Sequence, residues 1–178
     1  MQKMKTVFVI DRDTRKATDE VQIEWVINGE GVATVKHDGT SCMVRDGKLF
    51  KRYDAKNGKT APEGAIPCEP SPDPKTGHWP HWVEVDPADP ASRWHAEAFA
   101  GVHLEDGTYE LVGPKVQGNR YRLTRHELWK HGSVVVEVER TPEALVEWLR
   151  ANDHEGLVFH HPDGRMAKVR RKDFGIRW

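Results

Sequence analysis

The apolar residues of this chain come in short β-branched and aromatic runs that stop at glycine-bearing turns, and this punctuation constrains the fold more than any other feature. Residues 6–10, 21–26, 31–35, 40–44, 48–53, 108–112, 133–138, 156–160 and 166–169 each read as a strand. Asn28-Gly29, Asp46-Gly47 and Asp163-Gly164 supply turn residues that tolerate positive φ. Two helices are predicted. One runs over 92–100. The other opens at Thr141-Pro142-Glu143, with threonine as cap, proline in the first turn and an acid at the positive end of the dipole, and Leu145, Trp148 and Leu149 as its apolar face. Many hairpins and few helices specify an α+β, mostly antiparallel fold.

Eight of the 11 prolines fall between Pro62 and Pro90, together with Gly64, Gly77, Trp79 and Trp82. Proline lacks an amide hydrogen, so this stretch reads as an ordered surface excursion over about 56–91, neither a central strand nor a long helix. It is not a domain boundary, and 1–178 is expected to be a single domain. The 178 residues include seven tryptophans and 37% hydrophobic residues, enough for one sizeable core. This composition excludes collagen-like, coiled-coil and wholly disordered chains. No apolar stretch approaches the ~18–20 residues of a spanning helix. The apolar part of the start, 6–10, is short for a secretion signal, so a cytoplasmic protein is expected, with no membrane partner. Two cysteines, Cys42 and Cys68, make neither a disulfide framework nor the paired thiols of a zinc finger.

A net charge of -1 argues against a protein that simply coats nucleic acid, but not against a local basic site. One basic stretch holds Lys115, Arg120, Arg122, Arg125 and Lys130, and another holds Arg165, Lys168, Arg170, Arg171, Lys172 and Arg177. Lys36-His37-Asp38-Gly39 follows an apolar strand and enters a turn. Tyr109-Glu110-Leu111-Val112-Gly113 and Glu155-Gly156-Leu157-Val158-Phe159 each place an acid in or beside an apolar strand. Lys168 and Arg170 lie on one face of a strand, because side chains alternate with period two. Charges set into short apolar strands are costly unless they face a cleft or a ligand. Three such strands together with a lysine turn indicate a polyanion site with metal support. The pairs His78/His81 and His160/His161 lack a metal-site pattern, and Cys42 reads as packing.

In this order the segments resemble the covalent nucleotidyltransferases, the superfamily of ATP-dependent RNA and DNA ligases and capping enzymes. Lys36-His37-Asp38-Gly39 looks like the nucleophile motif and Phe50-Lys51-Arg52 like the arginine motif after it. The Glu110, Glu155 and Lys168-Val169-Arg170 segments look like the third, fourth and fifth motifs. Lys36 through Cys42, Tyr109 through Tyr121, His131-Gly132, Arg140 through Leu145 and the end through Gly175 are similar to the vertebrate 5′-to-3′ RNA ligase family. The resemblance implies a nucleotidyltransferase fold of antiparallel sheets with flanking helices. Ten residues follow Lys168, so no OB-fold domain is expected.

It also implies an ATP-dependent RNA ligase that joins 5′-phosphate and 3′-hydroxyl RNA ends through a lysyl-AMP enzyme. A DNA ligase or capping-type enzyme is the alternative, and an inactive RNA-binding module a more distant one. By resemblance Lys36 is the AMP-accepting nucleophile, Asp38 and Lys168 are catalytic, and Val35, Arg52, Glu110, His131, Lys168 and Arg170 bind nucleotide. Arg52 would contact ribose or phosphate, Glu110 the ribose hydroxyls, and Lys168 the α-phosphate with Arg170 assisting. His131, with Trp129 as rival, would stack on adenine. Glu155 would hold magnesium, or manganese in its place, with Asp38 and Glu110 as further metal candidates. Lys115, Arg120, Arg122, Arg171 and Lys172 would bind RNA, and a monomer is expected.

Overall fold

The computed structural model describes residues 4–56 and 58–178. The first part of the chain holds β1 (Lys5–Thr6), β2 (Phe8–Ile10), β3 (Ala17–Val21), α1 (Glu24–Ile27) and β4 (Val32–Lys36). The middle holds β5 (Thr40–Arg45), β6 (Lys48–Ala55), β7 (Ile66–Pro67), β8 (Trp79–Glu84), α2 (Arg93–Phe99), β9 (Gly107–Val112) and β10 (Glu127–Lys130). The last part holds β11 (Val135–Val136), α3 (Pro142–Ala151), β12 (Gly156–His160) and β13 (Met166–Arg170). The fold is α+β, with antiparallel pairing throughout the described ladders except for β1 beside β13.

The described chain divides into two compact units, Asp38–His131 and the flanking segments 4–37 and Gly132–Trp178. In the flanking unit a five-stranded sheet has the order β1-β13-β12-β4-β11, and β2 and β3 form a separate hairpin. The pleat sorts its residues. Ala33, Val35, Leu157, Phe159, Ala167 and Val169 are buried on one face. Thr34, Lys36, Lys168 and Arg170 occupy the other, by alternation along β4 and β13. α3 covers the apolar face with Leu145 and Leu149, one helical turn apart and fully buried. The Thr141 hydroxyl accepts a hydrogen bond from the Ala144 amide at 3.2 Å and Pro142 opens the helix, as the sequence predicts.

In the Asp38–His131 unit a six-stranded sheet has the order β10-β9-β5-β6-β8-β7. Cys42, Val44, Leu49, Tyr109 and Leu111 form its buried core with Ala98 of α2. The opposite face carries Ser41, Arg52 and Glu110, each one residue out of step with that core, and Ser41 sits directly across from Glu110. Lys51 is on the core side, where its ammonium is held by Ser92 at 2.6 Å and Asp89 at 3.1 Å at the turn before α2.

Four predicted elements differ. The run 6–10 breaks at Val7, which is fully buried and donates its amide to the Lys168 carbonyl at 2.9 Å. The run 21–26 ends as a strand at Val21, and α1 follows. A helical turn buries both Trp25 and Val26, which alternation along a strand would have separated. The run 133–138 shrinks to the two-residue edge strand β11, because only Val135 and Val136 are in register with β4, with one further bond from the Val35 amide to the Val134 carbonyl at 2.9 Å. The proline-rich excursion contributes β7 and β8. Pro80 is tolerated within β8 because its carbonyl, and with it the nitrogen that has no hydrogen, faces the short edge strand. There Cys68 donates to that carbonyl at 2.9 Å.

Candidate functional site

In the flanking unit, β4 ends at Lys36, whose register partner on β12 is Gly156, itself opposite Arg170 on β13. The three central strands therefore bring Lys36, Arg170 and, two residues along β13, Lys168 to one face. Glu155 precedes β12, its carbonyl taking the Arg171 amide at 2.9 Å. The Lys36 ammonium donates to Glu155 Oε2, and both side chains are mostly buried, at 18% and 15% exposed. Arg170 is clamped by Asp173 through two hydrogen bonds of 3.0 and 2.8 Å. Lys168 forms no side-chain ion pair among the described residues. Burial, then the charges of Arg170 and Lys36, lower its pKa to about 8. A cluster of three cations balanced by two carboxylates, one cation left unpaired and poorly hydrated, is suited to an anion.

The glycine of this cluster has a packing reason. A Cβ on Gly156 would lie 2.0 Å from the Val169 carbonyl oxygen and 2.9 Å from the Arg170 Cα. Val35 points into the core at 4% exposed, so only its backbone is available to a ligand. Arg171 spends its guanidinium on the carbonyls of Asn152 at 2.8 Å and Arg177 at 2.6 Å, which ties down the C-terminal segment. Lys172 is exposed.

In the Asp38–His131 unit, Glu110 is buried on β9 and accepts from His131 Nε2 at 2.7 Å and from the Ser41 hydroxyl at 3.4 Å. The other nitrogen of His131 meets the Thr108 hydroxyl at 3.0 Å. Burial and the Glu110 charge push the Cys42 thiol far above its ordinary range, so it is no nucleophile. Gly39 lets the turn approach β9, since a Cβ there would lie 2.1 Å from the Leu111 carbonyl oxygen. The Asp38 amide donates to the Tyr121 hydroxyl at 2.7 Å, and the Tyr121 ring packs on Trp129 at 4.6 Å between centroids. The Arg52 guanidinium lies 6.0 Å from the centre of the Trp82 ring. Lys115, Arg120 and Arg122 are exposed on the segment between β9 and β10, which holds Gln117, Asn119 and Arg122 at positive φ.

The candidates thus fall into two groups, one in each unit. Lys36, Glu155, Lys168 and Arg170 share one sheet face, and Glu110 and His131 are directly bonded. Sequence reading missed Thr108, Tyr121 and Asp173. Thr108 is the residue two before Glu110, on the same side of a strand, so period two could have found it. Tyr121 and Asp173 act through turns that no local pattern encodes.

By its fold this is an α+β protein, and one face of its five-stranded sheet gathers Lys36, Lys168 and Arg170 beside Glu155. A family model for RNA ligase 1 matches residues 98–178. The RNA ligase 1 proteins of Rattus norvegicus and Mus musculus are each 28% identical to this chain, over 83% of it and 68% of the relative. That of Danio rerio is 30% identical over 61% of this chain and 44% of its own length. The chain is thus similar to RNA ligase 1 proteins, in keeping with the resemblance of its motifs.

Proposed function

We propose that the chain is an ATP-dependent RNA ligase that joins a 5′-phosphate to a 3′-hydroxyl in three steps. The neutral Lys36 amine attacks the α-phosphorus of ATP. A P–N bond forms, the bond to pyrophosphate breaks, and the amine gives up a proton. The RNA 5′-phosphate then takes the AMP from lysine. Finally the 3′-hydroxyl attacks that activated phosphate, a phosphodiester forms and AMP leaves. Negative charge gathers on phosphoryl oxygens at each step, so catalysis here depends on positioned cations more than on acid–base side chains.

The observation that carries this reading is the single sheet face bearing Lys36, Glu155, Lys168 and Arg170. Lys168, which forms no ion pair among the described residues, is the natural partner of the α-phosphate. Arg170, oriented by Asp173, assists. Glu155 holds the lysine before the nucleotide arrives. The donor set suits magnesium as one carboxylate completed by phosphate and water. No group of three His, Cys, Asp or Glu among the described residues could hold a metal by itself. When bound at Glu155, the ion would supply further positive charge to the phosphates. Glu110 would accept from ribose hydroxyls, and Lys115, Arg120, Arg122 and Lys172 would contact RNA phosphates.

Intact mass spectrometry after incubation with ATP and magnesium tests the first step. The wild type should gain one AMP and Lys36→Ala none, and normal labelling of that variant would end the assignment. A gel with 5′-phosphorylated RNA should show adenylylated RNA and then joined or circular product. Labelling by GTP in place of ATP would point to a capping-type enzyme, and joining of nicked DNA alone to a DNA ligase.

A further inference from the structure

We infer that His131 is a positioning residue that, with Thr108, holds the Glu110 carboxylate in place to read a ribose hydroxyl. This rests on the proposed nucleotide site and changes the part given to the histidine within it, from stacking on adenine to fixing the acid. Thr108 and Glu110 are two residues apart on β9 and so project from the same side of the strand. The imidazole bridges them. Nε2 lies 2.7 Å from Glu110 Oε2, where the carboxylate can only accept, and Nδ1 lies 3.0 Å from the Thr108 hydroxyl, which can either donate or accept. A hydrogen-bond partner at each ring nitrogen fixes the rotation of the ring and so the place of Nε2 against the carboxylate.

The carboxylate is held from a second side. The Ser41 hydroxyl, directly across from Glu110 on β5, also donates to Oε2 at 3.4 Å. All the protein bonds given to this acid among the described residues therefore converge on one oxygen, and Oε1 stays available. An available oxygen on a buried, fixed carboxylate accepts a hydroxyl without first reorganising, which is what discrimination between ribose and deoxyribose requires. Gly39 belongs to the same arrangement, because a Cβ there would lie 2.8 Å from the Glu110 Cγ and displace the acid.

Calorimetric titration of the whole protein with AMP, 2′-deoxy-AMP and 3′-deoxy-AMP tests this without requiring catalysis. The wild type should bind AMP more tightly than at least one deoxynucleotide, by roughly ten-fold or more for a hydrogen bond to a charged group. His131→Phe keeps an aromatic face and removes both hydrogen bonds. It should abolish the preference while leaving the affinity for that deoxynucleotide unchanged. Glu110→Gln should reduce the preference similarly, the double variant should add nothing, and His131→Gln, which can still donate, should restore part of it. A His131→Phe protein that keeps the preference, or loses AMP and deoxy-AMP equally, overturns the inference and returns the ring to a stacking or structural role. A wild type that binds AMP without any preference overturns it as well. A wild type that binds none of the nucleotides overturns the nucleotide site itself, and this inference with it.

Discussion

Lys168 sits in an environment at odds with what its chemistry prefers. Its amine is set into a sheet beside Lys36 and Arg170 and forms no ion pair among the described residues, and burial lowers its pKa from 10.5 to about 8. The stability consequence has a definite sign. Below about pH 8 the amine is charged in both folded and unfolded chains, and the folded state carries the whole cost of burying it. Between there and the unfolded value the folded chain binds fewer protons than the unfolded one. Stability should therefore rise with pH across that window as this cost is relieved. Urea denaturation of wild type and Lys168→Met at pH 7 and near pH 10 checks this: the variant should be the more stable at pH 7, and the gap should narrow toward pH 10. A gap independent of pH would show that the amine is not desolvated. Arg170 and Arg171 illustrate the same point about environment. They are adjacent in sequence, yet one is clamped by Asp173 on the face that carries Lys36 and the other is spent on backbone carbonyls.

At the level of elements, the ladder β4-β12-β13 does the assembling. Its register places Lys36, Gly156 and Arg170 in one row, and a shift of one residue in either strand would send the cations into the core. Gly156 is the position that permits the close approach. Gly156→Ala would push a methyl group into the Val169 carbonyl and the Arg170 Cα, so the strands must separate or slip. The expected loss is at least the ~1–3 kcal/mol of an overpacked core, seen as a lower urea midpoint, with loss of AMP labelling. Unchanged stability and labelling would show that the sheet accommodates the methyl group and that glycine is not required there. β8 carries a lesson about proline: Pro80 sits inside a strand and forfeits only the return bond to Cys68, because the face of the backbone that lacks the hydrogen is turned to the two-residue strand β7 and its full ladder with β6 is kept.

At the level of the whole molecule, one unit is assembled from both ends of the chain and the other from its middle. β1, near the start, pairs with β13, near the end, and Val7 joins the core of α3 and β12. The charge is similarly divided. The net value of -1 conceals exposed cations at Lys115, Arg120 and Arg122 in one unit and at Lys172 in the other. If these contact RNA, binding should weaken steeply with salt, with log K falling by ~0.7 per phosphate neutralised on a single strand. The combined Lys115→Glu, Arg120→Glu and Arg122→Glu variant should bind RNA more weakly and show a shallower salt slope, while still gaining AMP. Fluorescence anisotropy with a 5′-phosphorylated RNA between low and physiological salt measures both. A slope that does not change would move the RNA surface elsewhere.

Much of this was present in the sequence itself. Strand periodicity fixed which residues of β4, β9, β12 and β13 face inward, the Thr141-Pro142 cap fixed the start of α3, and the order of charged motifs singled out Lys36, Glu110, Glu155, Lys168 and Arg170. Alternation and capping are local, so a sequence states them directly. What the sequence left open was non-local: that Glu155 meets Lys36 from 119 residues away, that Arg171 turns to the Asn152 carbonyl, and that His131 bridges Thr108 and Glu110. Those pairings depend on which strands lie side by side and in which register. Only the folded sheets decide that, because hydrogen-bond partners are chosen by distance in space and not by distance along the chain.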